Sequence, residues 1–186
     1  MTKPLFGLAA LHPAGIFAAR TGRALFTFCV FWAAYLLFQI EPLIGKYILP
    51  WFGGSPAVWT TCMLFFQLLV FAGYAYAHLN LKYFKIQHQP LLHIGLMLLA
   101  IMMLPVTPAS SAKPEDAGEP TLSILLLLIN SVGLPFFVLS STSPLLQAWF
   151  VRVYPQYSPY RLYALSNIGS FFALLSYPFL FEPFIS

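Results

Sequence analysis

Apolar residues run along this chain in long blocks broken by short polar, Pro-rich stretches, not in the strict alternation of half-buried strands. Five blocks approach or reach the roughly 20 residues needed to cross about 30 Å of hydrocarbon. They run about Ala24 to Ile40, Pro56 to Leu79, Pro90 to Leu104, Thr121 to Leu139 and Pro159 to Phe181, the third being the shortest. Ser55-Pro56, Ser143-Pro144 and Ser158-Pro159 each offer an N-cap hydroxyl followed by a proline preset for the first helical turn. Pro144 to Val151 is too short to span and reads as an interfacial helix with Trp149 at the headgroups. The pattern therefore predicts an all-α, polytopic integral membrane bundle of about five transmembrane helices plus one short interfacial helix.

Composition strengthens this reading. Of 186 residues, 60% are hydrophobic, 18% aromatic and 8% charged, with a mean hydropathy of +0.80, whereas soluble domains carry about 25% charged residues. Such a chain lacks the polar cover of a soluble enzyme, a disordered tail, a secreted disulfide scaffold or a nucleic-acid-binding module. Cys29 and Cys62 lie in apolar blocks and read as small buried thiols. The net charge of +4 comes from scattered Lys and Arg, which read as topology signals rather than as a nucleic-acid footprint.

Seven basic residues (Lys3, Arg20, Arg23, Lys82, Lys85, Arg152 and Arg161) fall on one side of the predicted bundle, and Lys46 and Lys113 on the other. The positive-inside rule then places the N-terminus in the cytoplasm and the C-terminus outside, an arrangement expected of a bacterial inner-membrane protein. On this plan residues 1–23 form a cytoplasmic arm and 24–183 a single transmembrane domain. The acidic connector at about 106–120 lies outside, and 184–186 close the chain. The first apolar block lacks a small-residue cleavage site and reads as a retained helix.

Two helix faces carry polar groups. In the second block Trp59, Met63, Gln67, Tyr74 and His78 share a stripe about a quarter-turn wide at about 100° per residue, expected to face other protein. Gly73 and Ala77 beside it form a small-xxx-small pair that permits close helix approach. In the last block Tyr163, Ser166, Asn167, Ser170, Ala173 and Tyr177 should pack inward. Leu162, Leu165, Ile168, Phe172, Leu175 and Phe179 should meet lipid. Each polar stripe reads either as interhelical adhesion or as the wall of a solute path.

The ionisable candidates are Glu41, Lys46 and Glu182 at the outer interface and His78 and His93 near the inner one. Glu41 and Lys46 are close enough in sequence to pair, and the two imidazoles are conceivable haem ligands; no cofactor or metal is otherwise indicated. Phe38-Gln-Ile-Glu-Pro-Leu-Ile is echoed by Phe179-Leu-Phe-Glu-Pro-Phe-Ile, as a transporter repeat would be, although Glu-Pro is also a helix-ending signal. Gly53-Gly54-Ser55-Pro56 reads as a turn and helix start. No dinucleotide loop, phosphate-binding loop, paired-cysteine motif or nucleophile elbow occurs.

Three longer motifs carry a family resemblance. Gly45 to Gln67 (Gly-Lys-Tyr-Ile-Leu-Pro-Trp-Phe-Gly-Gly-Ser-Pro-Ala-Val-Trp…) with Gly73-Tyr-Ala-Tyr-Ala-His78 is the first. Gly133-Leu-Pro-Phe-Phe-Val-Leu-Ser-Ser-Thr-Ser-Pro-Leu-Leu-Gln147 is the second, and Tyr160-Arg-Leu-Tyr-Ala-Leu-Ser-Asn-Ile-Gly-Ser170 through Ser176 to Pro183 the third. Together they resemble the N-terminal membrane region of spermidine-synthase-like membrane proteins, the major-facilitator/spermidine-synthase fusions. Such proteins continue into further helices and an aminopropyltransferase domain. The nucleotide-binding and amine-binding residues of that domain have no counterpart here, so the resemblance implies a membrane module without its enzyme. The expectation is a non-catalytic subunit packed against other integral membrane proteins in the lipid bilayer, without nucleic-acid partners. The alternatives are a transporter-like module for a small cationic solute such as a polyamine, with Gln67, Tyr74, Asn167, Ser170 and Tyr177 along its path, or the membrane half of a split synthase-like enzyme.

Overall fold

The computed structural model describes residues 13–108 and 120–184, with side chains from Arg20 onward in the first segment and from Thr121 in the second. Most of the acidic connector, and with it Lys113, lies outside the described residues, as do Lys3 and the last two positions. The described chain is helical throughout, without strands: α1 (Pro13–Phe52), α2 (Pro56–Tyr83), α3 (His88–Met102), α4 (Pro120–Leu128), α5 (Leu134–Val153) and α6 (Tyr160–Ser176). A π-turn, Ile129–Gly133, joins α4 to α5 without a break, and a second, Tyr177–Phe181, extends α6. Four of the resulting rods are long and apolar enough to cross a membrane: Arg20–Phe52, Pro56–Tyr83, Thr121–Val153 and Tyr160–Phe184. At 15 residues α3 is about 22 Å long, short of a full crossing.

Helix α1 runs past the Glu41-Pro42 signal at which the sequence predicts its end, and continues through Pro50 to Phe52. Tertiary packing overrides the missing proline donor here: Ile40, Ile44 and Ile48 recur every four residues and are all buried against α2 and α4. The second copy of the echoed heptapeptide behaves differently, passing through the π-turn into a 3-10 turn at Glu182–Phe184. The helix start at Ser55-Pro56 is as the sequence predicts. Gly53 takes φ +81°, a left-handed conformation that suits glycine, and Ser55 Oγ accepts from the Val58 N–H at 3.4 Å. At the head of α6, Ser158 Oγ accepts from the Tyr160 N–H at 3.3 Å.

No separate interfacial helix opens at Pro144. That proline lies inside α5, and Trp149 belongs to the same continuous rod. Hydroxyls in the turns before it bond back to their own helix: Ser140 donates to Phe137 O at 2.8 Å, Ser141 to Val138 O at 2.9 Å and Thr142 to Val138 O at 2.7 Å. The carbonyl that Pro144 leaves without its helical donor is that of Ser140, four residues back, and the rod continues through it. Burial of Val138, Leu145 and Phe150 on either side of Pro144 holds the rod together.

Two close approaches lock the bundle. A Cβ on Gly73 would collide with Ser140 Oγ and lie 3.1 Å from the Ser141 backbone nitrogen, so α2 and α5 pack backbone to backbone there. A Cβ on Gly169 would lie 2.6 Å from Phe31 O, bringing α6 equally close to α1. Beside that contact Gln39 Nε2 donates to Ala173 O at 2.8 Å and to Ser176 Oγ at 2.9 Å, and Tyr35 Oη lies 2.9 Å from Ser176 Oγ. Helix α6 therefore turns Leu162, Gly169 and Ala173 inward. Leu162, predicted to meet lipid, is buried, whereas Tyr163 and Asn167, predicted to pack inward, are exposed. The seam selects the smallest residues, Gly169 and Ala173, and the polar side chains flanking them rotate out.

Candidate functional site: a lateral polar groove

The α2 stripe also faces away from the bundle. Trp59, Gln67, Tyr74 and His78 are exposed and Met63 is half-buried, while the side of α2 that packs within the chain consists of Val58, Cys62, Phe65, Phe66, Gly73, Ala77 and Asn80. Of the stripe expected to face other protein, Trp59 packs over Gly45 of this chain, while the Gly73–Ser140 approach sets the side of α2 next to the stripe against α5. Near the basic end of the bundle, α2, α5 and α6 diverge around a groove of about 390 Å³. Tyr74, Ala77 and His78 enter it from α2, Ser143 and Gln147 from α5, and Tyr163, Ser166 and Asn167 from α6.

Four sequence candidates therefore meet in one place: Tyr74, Ala77, His78 and Asn167. Gln67 lies on the same stripe, two turns deeper on α2, and neither it nor Asn167 has a side-chain hydrogen bond among the described residues. Gln147 adds a second amide, beside Asn167, to the groove wall. The arrangement offers amide donors and acceptors, hydroxyls, an imidazole and small Ala77, with no nucleophile–base pair. Its side chains can donate and accept hydrogen bonds.

The remaining candidates lie elsewhere. Trp59 is an outward ring near the far end of α2, packed over Gly45, whose Cβ would lie 3.3 Å from it. Ser170 is half-buried and donates to Ser166 O at 3.1 Å within its own helix. Tyr177 lines a separate, almost wholly apolar cavity of about 390 Å³ beside Gln39 and Leu139. Lys46 donates to the Glu182 backbone carbonyl at 2.8 Å, which ties the ends of α1 and α6, and Glu41 is half-buried on the same end. The residues assigned to a solute path do not line one wall: Gln67, Tyr74 and Asn167 face outward, and Tyr177 borders the apolar cavity.

The two histidines occupy different sides of α2. His93 is 3% exposed and its Nε2 lies 3.1 Å from Thr142 Oγ1, with its ring 6.2 Å from that of Tyr76. His78, two residues beyond Tyr76, is about 200° further round the helix and opens into the groove. They do not form a common ligand pair, and no group of three or more His, Cys, Asp or Glu gathers among the described residues.

A second polar assembly, which sequence reasoning missed apart from His93, lies between α2, α3 and α5. Gln89, 2% exposed, donates through Nε2 to Phe84 O at 2.9 Å and accepts at Oε1 from Trp149 Nε1 and Arg152 Nη1, both at 3.0 Å. Asn80, 1% exposed, donates to Tyr76 Oη at 3.1 Å, and its Oδ1, like His93 Nδ1, is buried without a partner. The available signal was the Ser140-Ser141-Thr142 run inside an apolar block; Gln89 itself reads as a loop residue in Gln-His-Gln-Pro.

Comparison of the chain with protein-family models, curated sequences and solved structures gave no match.

Proposed function

We propose that this chain is a non-catalytic integral membrane subunit whose lateral groove receives a transmembrane helix of a partner protein. The observation that carries this reading is the outward placement of Gln67 and Asn167, two amides on spanning helices with no hydrogen bond among the described residues. Hydrocarbon offers an amide no donor or acceptor, so such groups in membrane proteins find partners on other helices. Here the chain's own helices are engaged on other faces. Tyr74, His78 and Gln147 line the groove with hydrogen-bonding groups.

In this reading the basic end, with Lys82, Lys85, Arg152 and Arg161, faces the cytoplasm of a bacterial inner membrane, in keeping with the positive-inside rule. The resemblance to spermidine-synthase-like membrane proteins gives the partner one specific form, a separately encoded synthase-like membrane subunit. The test is purification of the tagged native chain in mild detergent, with native electrophoresis and mass spectrometry of the band. Partners in fixed stoichiometry are expected, and Asn167→Leu with Gln67→Leu should strip them at least tenfold while the chain itself remains folded. A band containing only this chain, or partner recovery unchanged in the double variant, overturns the reading; solute uptake by such a lone band would point to the transporter-like module instead.

A further inference from the structure

On the other side of α6 from the groove, a cleft of about 400 Å³ opens between the first turns of α1 after Arg20 and the loop joining α5 to α6. Three arginines line it, Arg20, Arg23 and Arg161, with no Asp or Glu among its described lining residues. Arg23 is held with its Cζ 4.3 Å from the centroid of the Tyr157 ring, a stacking that leaves the edges of its fork free to donate. None of the three has an ion pair or an accepting partner for its guanidinium among the described residues. Gln156 and Ser158 add polar groups to the wall, and Phe150 and Leu162, both buried, form an apolar floor.

Three like charges drawn into one cleft repel one another unless an anion joins them. Arg forks match tetrahedral phosphate oxygens two at a time, and the cleft also adjoins the N-terminus of α6, whose dipole has the same sign. From this convergence of three guanidiniums over an apolar floor, we infer that the cleft is a binding site for a phosphate-bearing anion. The floor and the position at the basic end of the spanning rods suit the phosphodiester of an anionic lipid, whose glycerol and first methylenes would lie on Phe150 and Leu162. A phosphate group arriving from the aqueous side presents the same oxygens.

The full chain, purified in a zwitterionic detergent, is examined in two arms. In the first, native mass spectrometry follows retention of added phosphatidylglycerol and of phosphatidylcholine. In the second, calorimetric titration uses inorganic phosphate and pyrophosphate. Phosphatidylglycerol is expected to be retained at least tenfold better than phosphatidylcholine, and Arg23→Gln with Arg161→Gln should abolish that preference. Arg161→Lys, which keeps the charge and loses the fork, should fall between; it also serves if the glutamine pair does not fold. The variant Lys82→Gln with Lys85→Gln, on the same end outside the cleft, should leave the preference intact. Arg-dependent binding of phosphate or pyrophosphate without lipid preference would support the site with an aqueous source. Equal binding by wild type and the arginine variants in both arms, or an equal loss in the lysine variant, overturns it.

Discussion

The two ends of the bundle are held together by different chemistry. At the end of the Gly53–Ser55 turn, Ile40, Ile44 and Ile48 meet Val58, Cys62, Phe65 and Phe66, the α4 residues Ile124, Leu127 and Leu128, and Val132 of the π-turn, with Phe136 completing one apolar cluster. At the basic end the buried residues include Asn80, Gln89, His93, Thr142 and Gln147, and the groove and the arginine cleft open beside them. Lipid tails are as apolar as the first cluster, so burial there gains little over exposure, and stability rests on shape and contact. The second end gains hydrogen bonds that hydrocarbon cannot supply, together with the direction that hydrogen bonds impose. The Gly53 half adds the Gln39–Ser176 and Lys46–Glu182 hydrogen bonds to its apolar cluster, and the basic half carries both candidate sites.

This contrast can be broken by substitution, beginning with the largest effect. Phe136→Ala removes a side chain that is fully buried and should cost about 3 kcal/mol through the cavity it leaves, read as a lowered midpoint in detergent-titrated unfolding. Gln89→Leu deprives Trp149 and Arg152 of their shared acceptor and should cost about 2 kcal/mol. Its signature differs from that of Phe136→Ala: faster hydrogen exchange should be confined to residues 84–93 and the last turns of α5. If exchange rises equally at the apolar end, the two ends form one cooperative unit and the comparison fails. Thr142→Val removes the hydroxyl paired with His93 and should cost about 0.6 kcal/mol, the average for a hydrogen bond between membrane helices. Gln67→Leu should leave the stability of the isolated chain within about 0.5 kcal/mol, since the side chain is exposed, while lowering recovery of the partner in co-purification.

The helical class and four of the five predicted spans could be read from apolar block length, because the bilayer thickness sets that length; the remaining one, Pro90 to Leu104, forms the shorter α3. Helix ends were less legible. The sequence predicts a stop at Pro42 and a new start at Pro144, yet both prolines lie inside helices, since a proline penalty of about 3 kcal/mol yields to Ile44, Ile48 and Leu145 buried around them. Sidedness was the least legible. Periodicity placed Tyr74, His78 and Asn167 correctly on polar stripes, but whether such a stripe faces its own bundle depends on where the backbones approach most closely. Gly73 and Gly169 settle that; of the two, only Gly73 stood out in the sequence, as part of a small-residue pair. The cluster around Gln89 joins positions 60 and more residues apart, a pairing that no local pattern announces.

The seam between α1 and α6 also bears on how the protein is made. Gln39 donates to a carbonyl 134 residues downstream, and Phe31 lies against Gly169. When α1 leaves the ribosome, the chain that satisfies this amide has yet to be translated. Through the synthesis of every intervening helix Gln39 has to be kept by the insertion machinery or by a provisional neighbour. The arrival of α6 is therefore the step that pairs Gln39 with its acceptor and releases α1 from that custody.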